Sequence, residues 1–170
     1  MKLEEKIRDV PDFPIKGVIF KDITTLLQDP EAYKYSIDMM VERYRGQHID
    51  VVVGMESRGF IFAAPLAYLL NAGLVPVRKL GKLPWETERV NYSLEYGTNT
   101  LEVHKDAIKP GQKVLIVDDL LATGGTIGAT IELVEKLGGT VVGIAFLIEL
   151  TFLHGRNKLT GYDVFTQIQY

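Results

Sequence analysis

Short, continuous apolar runs alternate along this chain with longer stretches in which apolar residues recur every three or four positions. Val51-Val52-Val53, Val114-Leu115-Ile116-Val117 and Thr140 to Ile148 are runs of the first kind, rich in β-branched residues. They predict strands buried on both faces. Asp29-Pro30 offers an N-cap followed by proline at the first helical position. Tyr33, Ile37, Met40, Val41 and Tyr44 then keep a helical period to about Arg45, and Gly46 ends it. A second, apolar helix is predicted over 61–70. A third follows Gly125, with Ile127, Ile131, Val134 and Leu137 on one face and Gly138-Gly139 as its stop.

The remaining segments carry weaker patterns. Residues 2–9 predict a short helix with Leu3 and Ile7 on one face. Residues 10–17, with Pro11, Pro14 and Gly17, predict an irregular extended path, and 18–23 an edge strand. Gly73 to Arg78 reads as a strand that Pro76 confines to an edge or a strand end. Val90–Tyr96 and Thr100–His104 alternate and predict a β-hairpin turning at Gly97-Thr98-Asn99. With the basic stretch 79–89 this hairpin forms an insertion, read either as a mobile lid or as a solvated charged hairpin. Residues 152–160 predict a turn or short helix, and 163–168 a last strand. Strands alternating with helices predict an α/β fold, a mostly parallel, doubly wound sheet flanked by helices, in one domain over 1–170. Ligands then belong at the carboxyl ends of the strands.

Composition narrows the function classes. The 170 residues are 46% hydrophobic and 24% charged, which suits a soluble globular domain, and a formal net charge of −3 gives no electrostatic case for nucleic acid or a membrane surface. Without cysteine there is no disulfide, thiolate metal site or cysteine nucleophile. His48, His104 and His154 are dispersed, without metal spacing, and are expected at the surface. No apolar run approaches the roughly 20 residues that span a bilayer, and the first residues lack the apolar core of a signal peptide. A cytoplasmic location is the expectation.

The chemistry concentrates in Val114 to Thr126. Asp118 and Asp119 stand where a buried strand should leave the sheet, and Ala122-Thr123-Gly124-Gly125-Thr126 opens the following helix. Backbone N–H groups and the positive end of the helix dipole attract phosphate there, and the glycines admit it closely. The carboxylates lie within reach of sugar hydroxyls. A Gly-Gly pair alone would be only a tight turn; the acidic pair at this spacing points to a phosphorylated sugar. Neither GxxxxGK[ST] nor GxGxxG occurs. Arg58 follows a second buried strand, in Glu56-Ser57-Arg58-Gly59-Phe60, and suits either bidentate phosphate binding or an ion pair with Glu56. Lys79 and Lys82 follow a third.

The run VLIVDDLLATGGT resembles the motif with which type I phosphoribosyltransferases bind phosphoribosyl pyrophosphate (PRPP). Pro11-Asp12-Phe13-Pro14, Gly17 to Ile23, Glu56 to Phe60, Arg78-Lys79, Gly81 to Pro84, Tyr92 to Gly97 and Glu149-Leu150 are similar, in order, to the adenine phosphoribosyltransferase family. The resemblance implies a small N-terminal hood in which Ile19, Phe20 and Lys21 hold adenine, with Phe20 stacking on the purine. It implies that Arg58, Lys79 and Lys82 hold pyrophosphate, that Asp118 and Asp119 bind the ribose hydroxyls, and that Ala122, Thr123, Gly124, Gly125 and Thr126 bind the 5′-phosphate. Glu95 and Tyr96 would lie on a flexible catalytic hairpin. It further implies Mg²⁺ carried mainly by PRPP without a direct protein ligand, a homodimer, and formation of AMP and pyrophosphate in purine salvage. Lys21 stands where many members have Arg, Thr25 where many have Pro, and Trp85 adds bulk to the loop. The rival readings are the same transfer to a 6-oxopurine and a PRPP-sensing regulator without catalysis.

Overall fold

The computed structural model describes residues 1–94 and 97–170, and Glu95 and Tyr96 lie outside the described residues. The chain divides into two compact units, Met1–Arg43 and Tyr44–Tyr170.

In the first unit a 3-10 turn, Leu3–Lys6, leads into β1 (Arg8–Pro11), which pairs antiparallel with β2 (Ile19–Asp22) from Arg8↔Asp22 to Pro11↔Ile19. The helix expected over 2–9 therefore stops at Lys6. Residues 8–11 gain a ladder partner from a later segment, a gain that local periodicity does not register. Asp22 Oδ1 accepts hydrogen bonds from the Thr24 backbone N–H (2.9 Å) and hydroxyl (2.7 Å) and opens α1 (Thr24–Gln28). Asp29 starts α2 (Pro30–Tyr44) as expected, its Oδ1 accepting from the N–H groups of Glu31 (3.0 Å) and Ala32 (3.2 Å). Ile37, Met40, Val41 and Tyr44 are buried, as their period requires.

The second unit contains a seven-stranded sheet. Its strands are β3 (Val51–Met55), β4 (Gly73–Lys79), β5 (Thr87–Leu94), β6 (Gly97–His104), β7 (Lys113–Leu121), β8 (Thr140–Glu149) and β9 (Val164–Gln169). Their order is β5-β6-β4-β3-β7-β8-β9; β4, β3, β7, β8 and β9 are parallel, and the antiparallel hairpin β5–β6 adds to one side. Helix α3 (Gly59–Leu69) packs on β3 and β7, and a Cβ on Gly54 would stand 2.7 Å from Ala63 Cβ, so α3 covers the face of Val52 and Gly54. Helix α4 (Gly125–Lys136) covers the other face: its Ile127, Ile131 and Val134 share a core with Val51, Val53, Val114, Ile116 and Ile144, and Leu137 packs against it. This is the doubly wound architecture that the alternation predicts.

Three expectations change. Pro76 lies in an interior strand, but β4 meets β6 only at Arg78 and Lys79, so Pro76 is paired on the β3 side alone and its missing donor costs no ladder bond. Gly97, Thr98 and Asn99 belong to β6, whose pairing reaches Leu94↔Gly97, rather than to a turn. The hairpin is also anchored in the sheet, with Val90, Leu101 and Val103 in the core, so its base is not a solvated loop.

Candidate active site

Strand β3 marks a topological switch: the chain moves to β4 on one side and later enters β7 on the other. Open α/β sheets bind ligands in the crevice at such a point. Here the crevice has a specific cause. β3 and β7 pair only as far as Gly54↔Val117, whereas β7 stays paired with β8 to Leu121↔Glu149. Asp118 to Leu121 thus continue as strand beyond β3, where 114–117 was the expected extent.

A cavity of about 430 Å³ opens there. Arg58, Lys79, Asp118, Asp119 and Ala122 to Thr126 line it, so most of the predicted donor-binding residues converge. Gly59 lets the start of α3 approach β7, since a Cβ on it would meet Asp118 Oδ1 at 2.8 Å and the Val117 carbonyl at 3.1 Å. Arg58 Nε donates to Asp119 Oδ2 at 2.5 Å, so its partner is Asp119 and not Glu56. Asp118 Oδ1 accepts the Asp119 backbone N–H at 2.8 Å. Burial, the neighbouring Asp119 charge and a side-chain hydrogen bond with Asp119 outweigh the Asp119 N–H bond and the Arg58 charge and push the Asp118 carboxyl well above the usual carboxylate range. A carboxyl that keeps its proton can donate to a sugar oxygen as well as accept from a hydroxyl.

Gly124 is the N-cap of α4 with φ 87°, a left-handed conformation suited to glycine, and it supplies no side-chain cap. Gly124, Gly125 and Thr126 line the cavity at the start of α4, where first-turn N–H groups lack intrahelical acceptors. Tyr92 and Asn99, which sequence reading did not single out, enter the cavity from the hairpin. Tyr92 O–H lies 3.5 Å from both Thr126 Oγ1 and Asn99 Nδ2. Alternation puts Tyr92 on a strand without saying what it meets, and it leaves Asn99 in the expected turn rather than in β6.

Lys82 does not line the cavity. Its ammonium sits 2.8 Å from Glu56 Oε2, while Glu56 Oε1 accepts the Lys79 N–H at 2.8 Å and lies 3.4 Å from Arg78 Nε. Burial raises the Glu56 pKa, but the Lys82 hydrogen bond, the Lys79 N–H and the two cations outweigh it and hold the group below its ordinary value. From the other side Glu102 accepts the Gly81 N–H at 2.9 Å and the Thr87 hydroxyl. Two buried carboxylates therefore fix the 79–87 segment. Nearby, Trp85 stacks edge-on with His104 at 6.4 Å. His104 is half-buried rather than at the surface, whereas His48 and His154 are exposed.

Ile19, Phe20 and Lys21 lie on β2 of the first unit. The Phe20 ring meets Phe13 edge-on at 5.1 Å, and Lys21 Nζ is 2.7 Å from Asp9 Oδ1. Thr25 donates its hydroxyl to the Lys6 carbonyl at 2.7 Å. The predicted Glu95 and Tyr96 lie outside the described residues. Among the described residues no group of three or more His, Cys, Asp or Glu is placed to hold a metal ion, and no helix is long and apolar enough to cross a membrane.

An acidic strand end, a glycine-capped helix start and an arginine around one crevice are the donor-site pattern of phosphoribosyltransferases, and the model of the phosphoribosyl transferase domain family matches residues 22–168. The similarity extends further. The adenine phosphoribosyltransferase of Caldicellulosiruptor saccharolyticus is 61% identical over 100% of this chain and 97% of its own. The crystal structure of the Thermoanaerobacter pseudethanolicus adenine phosphoribosyltransferase superposes with a TM-score of 0.96 at 57% identity, over 99% of this chain and 98% of that one. The Saccharomyces cerevisiae enzyme, complexed with an imino-altritol bisphosphate and adenine, superposes with a TM-score of 0.91 at 41% identity, over 97% and 96%. The chain belongs to the adenine phosphoribosyltransferase family.

Proposed function

We propose that this chain transfers the 5-phosphoribosyl group of PRPP to adenine, giving AMP and pyrophosphate in purine salvage. The observation that carries the reading is the convergence of Asp118, Asp119, Arg58, Lys79 and the Gly124-capped helix start on one cavity. Adenine as the acceptor is supported by the adenine in the yeast relative's complex and by the identity of the bacterial relative. The family match, which spans both compact units, supports one phosphoribosyltransferase domain.

In this reading the 5′-phosphate sits at the start of α4, held by the N–H groups of Ala122 to Thr126 and the hydroxyls of Thr123 and Thr126. Asp118 and Asp119 hold the ribose hydroxyls, and Arg58 with Lys79 faces the pyrophosphate. The adenine nitrogen that becomes N9 forms its bond to C1′ as the C1′–O bond to pyrophosphate breaks, with positive charge developing on the sugar. Ile19, Phe20 and Lys21 hold the purine. Glu95, with Tyr96 on the same hairpin, orients base and hairpin. No protein nucleophile takes part, and the rate comes from alignment and from cations facing the leaving group. Lys82, tied to Glu56, holds the 79–87 segment and reaches pyrophosphate on release from that pair.

Asp119 is committed to Arg58 and Asp118 favours its protonated form, so Mg²⁺ would be held mainly by the substrate's diphosphate. Bound there, Mg²⁺ would neutralise charge on the departing pyrophosphate. The homodimer implied by the family resemblance and the cytoplasmic location expected from the sequence belong to the same reading.

A steady-state assay with PRPP, Mg²⁺ and a panel of adenine, guanine, hypoxanthine and xanthine tests it. AMP formed from adenine, with the 6-oxopurines poor, is expected. Turnover of a 6-oxopurine alone would replace the acceptor, and PRPP binding without turnover of any base would make the chain a sensor.

A further inference from the structure

The 5′-phosphate loop leans on a segment that forms no part of the cavity. A Cβ on Gly124 would stand 2.8 Å from the Gly155 carbonyl oxygen, and one on Gly155 would stand 2.3 Å from the Ala122 carbonyl oxygen and 3.0 Å from Leu121 Cδ1. Two stretches of backbone therefore press together with room for glycine only. Gly155 begins a 3-10 turn, Gly155–Leu159, and the residue after it is pinned. Arg156 Nε donates to Glu149 Oε1 at 2.9 Å and Nη2 to Glu149 Oε2 at 2.6 Å, a bidentate pair, while Nη1 reaches the Val164 carbonyl at 3.3 Å. Thr166 Oγ1 and Gln169 Nε2 also donate to Glu149 Oε2, at 3.1 and 3.3 Å.

Glu149 ends β8 and pairs in register with Leu121, the last residue of β7, and Leu150 N donates to the Leu121 carbonyl at 2.9 Å. A continuous path thus runs from the sheet through Glu149 and Arg156 to Gly155, and from Gly155 to Ala122 and Gly124. None of Glu149, Gly155 and Arg156 lines the cavity.

We propose that Glu149, Gly155 and Arg156 are positioning residues for the donor's 5′-phosphate, a role that rests on the functional reading above. They set where the Ala122–Gly124 backbone stands, and so where its N–H groups point. Donors aimed in advance bind an anion without the cost of reordering the loop. The planar guanidinium is needed because it engages both Glu149 oxygens at once, which an ammonium does not.

The test compares wild type with Gly155→Ala, Arg156→Lys and Glu149→Gln in steady-state kinetics and in calorimetric titration with ribose 5-phosphate and, separately, pyrophosphate. For Gly155→Ala, kcat/KM for PRPP should fall between about tenfold and about a hundredfold, the scale of a small displacement transmitted to a site, while KM for adenine and pyrophosphate affinity stay within about twofold. Ribose 5-phosphate affinity should fall in parallel, and Arg156→Lys should be intermediate. Gly155→Ala disturbs no buried charge and keeps the test open if Glu149→Gln does not fold. Unchanged ribose 5-phosphate affinity in a folded Gly155→Ala variant overturns the proposal, as does a loss shared equally by adenine and pyrophosphate. A wild-type protein that neither binds ribose 5-phosphate nor makes AMP would instead remove the functional reading itself.

Discussion

Arg58 Nε and Asp119 Oδ2, 2.5 Å apart, join the loop after β3 to the extended end of β7 across the switch point. Each side chain holds the other in the crevice that both line, where the proposed function places the donor. Arg58→Ala should lower kcat/KM for PRPP by roughly 10- to 150-fold, equivalent to about 1.5–3 kcal/mol for a charged hydrogen bond. The Arg58→Ala/Asp119→Asn double variant should lose less than the sum of the singles. Losses that add within about 0.5 kcal/mol would show that the pair is not a unit.

Asp118 carries a conflict between stability and chemistry. Its folded-state pKa lies well above the ordinary 3.8, so the folded protein binds the proton more tightly than the unfolded chain. Stability contributed by this group is therefore lost as pH rises above that ordinary value. Asp118→Asn should raise Tm at neutral pH, at about 2–4 °C per kcal/mol gained in a protein of this size. It should also weaken ribose 5-phosphate binding. Thermal melts at pH 5 and 8 read the first effect: a Tm gain that does not grow with pH would contradict the burial argument.

Glu56 has the opposite sign. Its folded-state pKa is lowered from the ordinary 4.5, so its contribution is present above that value and disappears as pH falls through the folded-state pKa. Glu56→Gln should flatten the acid limb of the stability curve. It should also release Lys82, changing pyrophosphate affinity more than affinity for ribose 5-phosphate. Equal effects on both ligands would mean that Glu56 supports the sheet rather than the 79–87 segment.

Phe20→Ala removes one aromatic face from the segment assigned to the base. KM for adenine should rise by the equivalent of about 1–3 kcal/mol, as for base stacking on aromatics, with KM for PRPP little changed. An unchanged adenine KM would make Phe20 a packing residue of the first unit, as in its edge-on contact with Phe13.

What the sequence disclosed depended on how local each signal was. Val114 to Val117, the glycine-rich loop and the face of Ile127, Ile131 and Val134 are contiguous or periodic, and they lie as read. Residues 8–11 misled because their strand is defined by a partner at 19–22. Five-residue α1 is shorter than the window that reveals a helical period. Within the site, Asp118 and Asp119 announced themselves as adjacent charges at the end of an apolar run. Tyr92, Asn99 and Gly155 did not, because their importance lies in which backbone or hydroxyl stands opposite them. Glu56 was noticed for the wrong partner: pairing with Arg58 was the nearer guess in sequence, and Arg78 and Lys82 are its partners in space.

The one-sided pairing of β7 beyond Val117 also bears on how this scaffold can be re-equipped. Val117 and Ile127, which bracket the 118–126 stretch, are both buried, whereas the strand residues between them are paired along the β8 edge and reach the β3 side through the Asp119–Arg58 contact. A loop exchanged between those two residues would leave the β3–β7 ladder intact, provided an acceptor for Arg58 is kept at Asp119. Two further requirements travel with such a graft: an apolar residue at Leu121, which is buried in the core, and a glycine opposite Gly155. Within those limits the cavity's helix-start wall is a replaceable cassette on a fixed chassis.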